Sequence, residues 1–228
     1  MRQSDALRIV NKCRRMYPDL DFTNVKELQR QVGMKQDGDL GPGTTQAVEA
    51  YKYENSASRD TRDKGTPVAQ LAKSIGINSK HLASLIKIES NSGGYTALNP
   101  NSGAYGKYQF MPATAAAYKA RLGLKGNSWM SPSNQDKMFS ELTKDNLTQL
   151  KRDGQGIEGI DVNNIGAFEL YGAHQQGVSG FLEIMKNKNI PQVRYKNMRA
   201  NIGKLGAGKT DDEVRDIWIK LWRRKTSK

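Results

Sequence analysis

The sequence has little of what disulfide-bonded, metal-binding or membrane-spanning proteins need. Its 228 residues contain one cysteine, Cys13, and two histidines. A single cysteine excludes an internal disulfide, and without a cluster of His and Cys the sequence predicts no metal site and no cofactor. No apolar run approaches the roughly 20 residues that a membrane-spanning helix needs. The N-terminal stretch MRQSDALRIVNKC also lacks the apolar core of a signal peptide. We therefore expect a soluble protein that is made in the cytosol.

The 23 acidic residues are outnumbered by 36 lysines and arginines, and the net charge is +13. This charge favours a polyanionic partner, either nucleic acid or an anionic cell envelope. Outside the C-terminal tail we find no basic run interleaved with aromatic residues, and we find no zinc or helix-turn-helix pattern. The sequence therefore predicts no nucleic acid partner.

One long stretch, residues 90–135, contains no aspartate or glutamate. It is rich in Gly, Asn, Ser, Tyr and Gln, whose neutral groups hydrogen-bond and stack, as a surface that binds a sugar polymer does. The acid that precedes this stretch is Glu89. A lone acid beside such a surface suggests cleavage of a glycosidic bond without a second carboxylate nearby in sequence.

Glu89 also ends an apolar helical stripe. The spacing i, i+3, i+4 and i+7 places four residues on one face of a helix that follows Ser79, its predicted N-cap: Leu82, Leu85, Ile86 and Glu89. Burial raises the pKa of a carboxyl group because the charged form loses its hydration. A carboxyl group that stays protonated near neutral pH can act as a general acid.

Three motifs in order resemble those of the lytic transglycosylases of the lysozyme superfamily. Glu89-Ser90 is followed by a Gly-x-x-Gln-x-x-Pro-x-Thr element that runs from Gly106 to Thr114 and contains Gln109. Further on, Tyr171-Gly-Ala-His174 resembles the Tyr-x-Ala-His variant of some large-phage endolysins, with Gly172 where the common motif has Asn. The resemblance covers residues 66–185 and implies a lysozyme-like helical catalytic domain.

The resemblance also implies roles for residues. Glu89 is the expected catalytic acid and base. The expected substrate-binding residues are Gln109, Met111, Tyr171, His174, Asn99, Asn101, Ser102 and Tyr108. Asn99, Asn101 and Ser102 are alternatives for one contact with an N-acetyl group, and the pattern does not choose among them. Tyr105 and Tyr108 either stack on sugars or belong to the core.

A second resemblance lies near the N-terminus. Leu28-Gln29, Asp37-Gly38-x-x-Gly41-x-x-Thr44 and Ala47-Val48 resemble the small three-helix peptidoglycan-binding module. It implies a wall-binding site at Asp37, Gly38, Gly41 and Thr44. Thr44 is the predicted N-cap of the last helix of this module, and residues 2–17 are predicted to form its first helix.

The predicted architecture is mainly α, with three parts. Residues 1–55 form the binding module, the polar residues 56–65 a linker, and residues 66–228 the catalytic domain. By resemblance, the protein is a phage endolysin, acts as a monomer, and cleaves bacterial peptidoglycan between N-acetylmuramic acid and N-acetylglucosamine. Made in the host cytoplasm, it would act in the periplasm or from the virion. Two alternatives stay open: a goose-type muramidase that uses a second acid, Glu169 or Asp136, and a non-catalytic wall-binding virion protein.

The last helix of the sequence has two interpretations. Thr210 and Glu213 form a capping-box pattern, and an apolar face follows that consists of Val214, Ile217, Trp218, Leu221 and Trp222. Such a face normally packs on the rest of the domain. Tryptophans flanked by Arg and Lys also suit an anionic outer-membrane surface, which is the alternative.

Overall fold

The computed structural model describes residue 20 and residues 23–54, 63–90 and 94–227. Within these ranges, the side chains of Glu54, Glu89 and Ser90 are not described. The predicted helix over residues 2–17 and most of the predicted linker therefore lie outside the described residues.

Ten α-helices make up most of the described chain. They are α1 Val25–Gln31, α2 Pro42–Glu54, α3 Val68–Ile75, α4 Ser79–Ser90, α5 Pro112–Arg121, α6 Pro132–Asp153, α7 Ala167–Gln176, α8 Val178–Lys186, α9 Gln192–Ile202 and α10 Asp211–Thr226. The β-pairing within the described residues consists of two isolated antiparallel bridges, which join Tyr105 to Leu98 and to Phe110. The predicted mainly α fold is confirmed.

The chain forms two compact units. The first unit consists of Met1–Pro67 and Ile86–Phe139, and the second unit of Val68–Leu85 and Ser140–Lys228. These units divide the chain differently from the predicted domains, because residues on both sides of the predicted linker belong to the first unit. The prediction that residues 1–55 form a separate binding domain needs a test of its own.

Contacts inside the first unit explain this grouping. Its described apolar core contains Leu28 and Val48 of the predicted binding module, and Leu98 from beyond the predicted linker packs against it. The buried side chain of Gln46, in α2, donates from Nε2 to the carbonyl oxygens of Gly103 and Phe110 at 2.7 and 2.9 Å. Helix α2 is therefore bonded directly to the loop that precedes α5.

The end of the predicted linker is also held in place within the first unit. Asp63 accepts hydrogen bonds from the N–H groups of Gly65 and Ser133, both at 3.0 Å, and the Thr66 N–H donates to Asp136. Partial burial acts to raise the pKa of Asp63, but these N–H groups outweigh it, and the pKa lies below its usual value. Residues 63–66 are thus bonded to the first turns of α6 and are not a free connection.

In the second unit, helix α10 buries the apolar face that the sequence predicts. Val214, Trp218 and Trp222 are buried, and the predicted capping box of Thr210 and Glu213 is present. The packing interpretation of this helix is confirmed, and a membrane-binding role would require these tryptophans to leave the core. None of the helices within the described ranges is long and apolar enough to cross a membrane.

Candidate functional site

Helix α4 places Glu89 in its last turn. The predicted apolar stripe is confirmed, because Leu82, Leu85 and Ile86 are buried. The N-terminal cap lies one residue earlier than predicted: Asn78 Oδ1 accepts a hydrogen bond from the Lys80 N–H at 2.8 Å. The side chain of Glu89 lies outside what the structure describes, so its protonated state stays a prediction.

The segment after α4 folds as an ordered loop, residues 94–111, which we call the motif loop. It begins with a 3-10 turn, Gly94–Thr96, and continues through the paired hydrogen bonds between Tyr105 and Phe110, at 3.1 and 3.0 Å. This segment is irregular and contains short hairpin pairings from Tyr105 to Leu98 and to Phe110. Glu89 and the whole motif loop belong to the Ile86–Phe139 part of the first unit.

Gln109 adopts an uncommon backbone conformation in the motif loop. Its φ is +48°, and the other non-glycine residues with positive φ in the described chain are asparagines. Its Nε2 donates to the carbonyl oxygens of Gly106 and Ala97, at 2.9 and 3.4 Å. A left-handed conformation at such a residue costs about 1–3 kcal/mol and tends to occur at functional sites. The described contacts make Gln109 a support of the loop, and its contact with substrate stays a prediction.

Three of the predicted sugar contacts lie in one turn of the motif loop. Asn99 Oδ1 accepts from the N–H groups of Asn101 and Ser102, at 3.0 and 3.4 Å, and Ser102 Oγ accepts from the Ala104 N–H at 3.3 Å. Asn99 and Ser102 therefore shape the turn, whereas Asn101 is exposed. Met111, which precedes α5, is 48% exposed. Of the four predicted substrate contacts Asn99, Asn101, Ser102 and Met111, the structure thus leaves Asn101 and Met111 exposed to a ligand.

Tyr105 and Tyr108 belong to the core. The Tyr108 ring is fully buried and stacks on Phe139, with ring centres 4.0 Å apart and planes within 5°. Tyr105 is buried as well and meets Trp129 edge to face. The prediction that Tyr108 contacts substrate is wrong, because no face of its ring is open to a sugar.

A buried carboxylate that the sequence interpretation treated only as an alternative acid holds the motif loop. Asp136, in the second turn of α6, is 1% exposed. Its Oδ1 accepts from the hydroxyl groups of Tyr108 and Tyr95, at 2.5 and 2.9 Å. Burial raises the pKa of both tyrosines, and the charge of Asp136 raises it further, so both remain protonated donors.

The neighbouring residue, Gln135, also bonds to the motif loop. Its Nε2 donates to the carbonyl oxygen of Tyr95 at 2.8 Å, and its Oε1 accepts from the Lys107 N–H at 3.1 Å. A Cβ atom on Gly106, whose φ is +83°, would lie 2.0 Å from Gln135 Oε1, so a side chain there would strain the backbone and displace the amide of Gln135. Sequence reasoning missed Gln135 and Tyr95. The available signal was the position of Gln135-Asp136 one turn before Phe139 on the buried face of α6.

We expect Asp136→Ala to lower the free energy of unfolding by about 3 kcal/mol. The buried hydroxyl of Tyr108 and the half-buried hydroxyl of Tyr95 would lose their acceptor, and an unsatisfied buried polar group costs about 1–3 kcal/mol. Urea unfolding followed by circular dichroism measures this. The control is Asp216→Ala, which removes an exposed carboxylate beside Arg215 and should change stability by less than about 1 kcal/mol. Equal stability of the two variants would contradict the role of Asp136.

The later motif lies in the second unit and is largely structural. Tyr171 is buried, and its ring centre lies 4.2 Å from that of Trp222. Its hydroxyl oxygen accepts from Gln175 Nε2 at 2.6 Å, and Gln175 Oε1 accepts from Trp218 Nε1 at 3.2 Å. The prediction that Tyr171 contacts substrate is therefore not supported by its position. His174, in the last turn of α7, is half-buried, and its role stays a prediction.

The departure from the common motif at Gly172 has a steric cause. A Cβ atom at this position would lie 2.2 Å from the Phe181 ring, so α7 and α8 approach each other too closely for any side chain there. The Asn of the common motif would not fit. Glu169, the second alternative acid, accepts from the Gly166 N–H at 2.9 Å and caps its own helix.

The predicted wall-binding residues surround a buried amide. Gln29 is 1% exposed and donates from Nε2 to Asp37 Oδ1 at 2.6 Å and to Thr44 Oγ1 at 3.1 Å. Its Oε1 accepts from the Gly38 N–H at 2.9 Å, where φ is +80°. The Asp39 N–H lowers the pKa of Asp37, and the amide of Gln29 lowers it further.

These contacts explain the spacing of the residues in the N-terminal motif. Gln29 needs Asp37, Gly38 and Thr44 around it, so these residues build the loop, and their contact with the wall stays a prediction. Thr44 is not the N-cap of α2, which begins at Pro42. The carbonyl oxygen of Gly41 accepts from both the N–H and the hydroxyl of Thr45, each at 3.1 Å, and so closes the first turn.

The described side chains contain no group of three His, Cys, Asp or Glu that could hold a metal ion. No protein-family model matches this chain, and no curated protein matches it.

Proposed function

We propose that the protein is a lytic transglycosylase that cleaves bacterial peptidoglycan between N-acetylmuramic acid and N-acetylglucosamine. The observation that carries this proposal is the position of Glu89. It lies in the last turn of a helix whose apolar face is buried, and the sequence after it contains no acid up to residue 135. Glu89 and the Gly-x-x-Gln-x-x-Pro-x-Thr element follow each other in the order of that family, and the element keeps its internal spacing, but the gap from Glu89 to Gln109 is slightly longer than in the family.

The proposed reaction needs one carboxyl group. Glu89 donates its proton to the glycosidic oxygen, and the bond from that oxygen to C1 of the muramic residue breaks. The resulting carboxylate then takes the proton of the C6 hydroxyl of the same residue, and that oxygen bonds to C1. The products are a 1,6-anhydromuramic end and a free N-acetylglucosamine hydroxyl. Because the C6 hydroxyl is already held in the same sugar, no second residue has to position a nucleophile.

The goose-type muramidase is the first alternative. A hydrolase that inverts needs a base to activate water, and one that retains configuration needs a nucleophile. Both residues named for this role have other tasks. Asp136 is buried beneath the motif loop and accepts hydrogen bonds from Tyr95 and Tyr108, and Glu169 caps α7. These contacts favour the transglycosylase.

Mass spectrometry of the soluble fragments released from purified peptidoglycan tests the proposal. A transglycosylase product is lighter by one water than the corresponding muramidase product. Fragments of the hydrated mass would replace the proposal with the muramidase alternative. No released fragments, with binding to the wall retained, would favour the second alternative, a non-catalytic wall-binding protein of a virion.

We also propose that the protein serves as a phage endolysin, because its Tyr171-x-Ala-His174 motif resembles that of large-phage enzymes. In this role it would be made in the host cytoplasm and would reach the wall in the periplasm after lysis begins, or from a virion. Residues 1–55 would add affinity for the wall, and a net charge of +13 would favour the anionic envelope. We expect it to act as a monomer.

A further inference from the structure

The first unit contains a groove that the proposed reaction does not use. It lies between α2 and α5 and has a volume of about 550 Å³, which is the size of a small-ligand site. Its walls are mostly small apolar side chains: Pro42, Pro112, Ala113, Ala116, Ala120 and Leu124. A ligand in this groove would meet methyl and methylene groups along most of its length.

The polar groups inside the groove already have partners. Thr45 Oγ1 donates to the carbonyl oxygen of Gly41 at 3.1 Å. Gln46 Nε2 donates to the carbonyl oxygens of Gly103 and Phe110. These groups are therefore not available to select a polar ligand in the interior, and selectivity must come from the rim.

The rim carries one charge of each sign. Lys119 Nζ lies 3.8 Å from Glu49 Oε1, which is longer than a hydrogen bond, and about a quarter of each side chain is exposed. Both groups line the groove. The lysine can still donate to an incoming carboxylate, and the glutamate can still accept from an incoming ammonium group. The groove thus suits a short molecule with small apolar side groups and both charges.

We infer that this groove binds the stem peptide of peptidoglycan, an inference that rests on the proposed function. The stem peptide is short, carries the methyl groups of its alanines, and has free carboxylates and an amino group. Its methyl groups would lie against the alanine wall, its amides would face the open side, and its charges would meet Lys119 and Glu49. Gln46 lines the groove and is bonded to the motif loop, so peptide and glycan of one wall fragment would bind to neighbouring surfaces.

Two adjacent alanines of α5 give a matched test. Ala116 lines the groove and Ala117 does not, yet both are exposed on the same helix. The probe is the synthetic tetrapeptide L-Ala-γ-D-Glu-meso-diaminopimelate-D-Ala, without sugar, titrated into the full chain by calorimetry. Ala116→Phe fills the groove and should weaken binding at least about tenfold, because the buried methyl contacts are lost. Ala117→Phe should bind as the wild type does.

A second variant covers the case in which Ala116→Phe unfolds. Lys119→Ala should weaken binding of the tetrapeptide by a few-fold and have no effect on a peptide whose terminal carboxylate is amidated. No binding by the wild type, or equal binding by all variants, would overturn the inference. The release of wall fragments tests the proposed function separately. Wall cleavage without binding of the tetrapeptide would contradict only the peptide-binding groove. Binding of the tetrapeptide without wall cleavage would contradict only the proposed transglycosylase activity.

Discussion

Glu89→Gln is expected to abolish cleavage of peptidoglycan while leaving the fold and wall binding intact. Glutamine has nearly the same shape as glutamate, but it cannot donate a proton and later take one back. Positioned general acid–base catalysis contributes about 10²–10⁴-fold to a rate. One group serves both proton transfers in the proposed reaction, so we expect a loss at the upper end of that range. The measurement is the release of anhydro-muropeptides from purified wall.

The matched control is Glu158→Gln, which makes the same chemical change at an exposed position outside the helices. It should cleave the wall as the wild type does. Sedimentation with insoluble wall and thermal unfolding should be the same for both variants and the wild type. If Glu89→Gln retained more than about a hundredth of the activity, less than the usual contribution of a general acid would have been lost, and the assignment of Glu89 would be wrong.

The features that the sequence predicted correctly depend on local spacing. The buried stripe of α4 follows from residues within a few positions of each other. The capping box of α10 is equally local, because Thr210 and Glu213 are three residues apart. Helix periodicity and capping act over one or two turns, so sequence alone contains them.

The features that the sequence did not predict depend on distant partners. Tyr108 lies in a stretch rich in neutral polar residues, which is typical of a sugar-binding surface. In the structure, Asp136 and Phe139, about 30 residues later, bury it. Tyr171 is likewise covered by Trp222 from the last helix. Both tyrosines have an apolar ring and a polar tip, so the same side chain suits a cleft or a core. Which of the two occurs is decided by tertiary packing that periodicity does not encode.

Several residues of the family motifs have structural roles that depend on distant partners. Gly106, Gly172 and Thr44 were interpreted as parts of functional signatures, and each has a structural reason for its identity. Gly106 admits Gln135, Gly172 admits Phe181, and Thr44 bonds to Gln29. A signature thus records the scaffold of a site as well as its chemistry. Among the predicted substrate-binding residues, Asn101 and Met111 are the ones whose described side chains are exposed.

The second large effect is expected when the N-terminal part is removed. The predicted domain boundaries imply that residues 66–228 fold alone and still cleave the wall. The contacts within the first unit lead to a different expectation. Without α2, the carbonyl oxygens of Gly103 and Phe110 lose the buried amide of Gln46, and Leu98 loses its apolar partners. An unsatisfied buried group costs about 1–3 kcal/mol, and a domain of this size is stable by only about 5–15 kcal/mol.

We therefore expect residues 66–228 to lose cooperative thermal unfolding and to cleave no wall, because the motif loop would keep its bonds to Gln135 and Asp136 but lose those to α2 and to the apolar core. Gln46→Ala in the full chain is the milder version and should lower the stability by about 2 kcal/mol, because the buried carbonyl of Gly103 loses the Gln46 amide, whereas the carbonyl of Phe110 keeps the Tyr105 N–H. Gln70→Ala, at an exposed position of α3, is the control and should stay within about 0.5 kcal/mol of the wild type. A truncated protein that unfolds cooperatively near the temperature of the full chain would instead support the predicted linker. In that case the contacts of Gln46 would add little, and residues 1–55 would be a separable module.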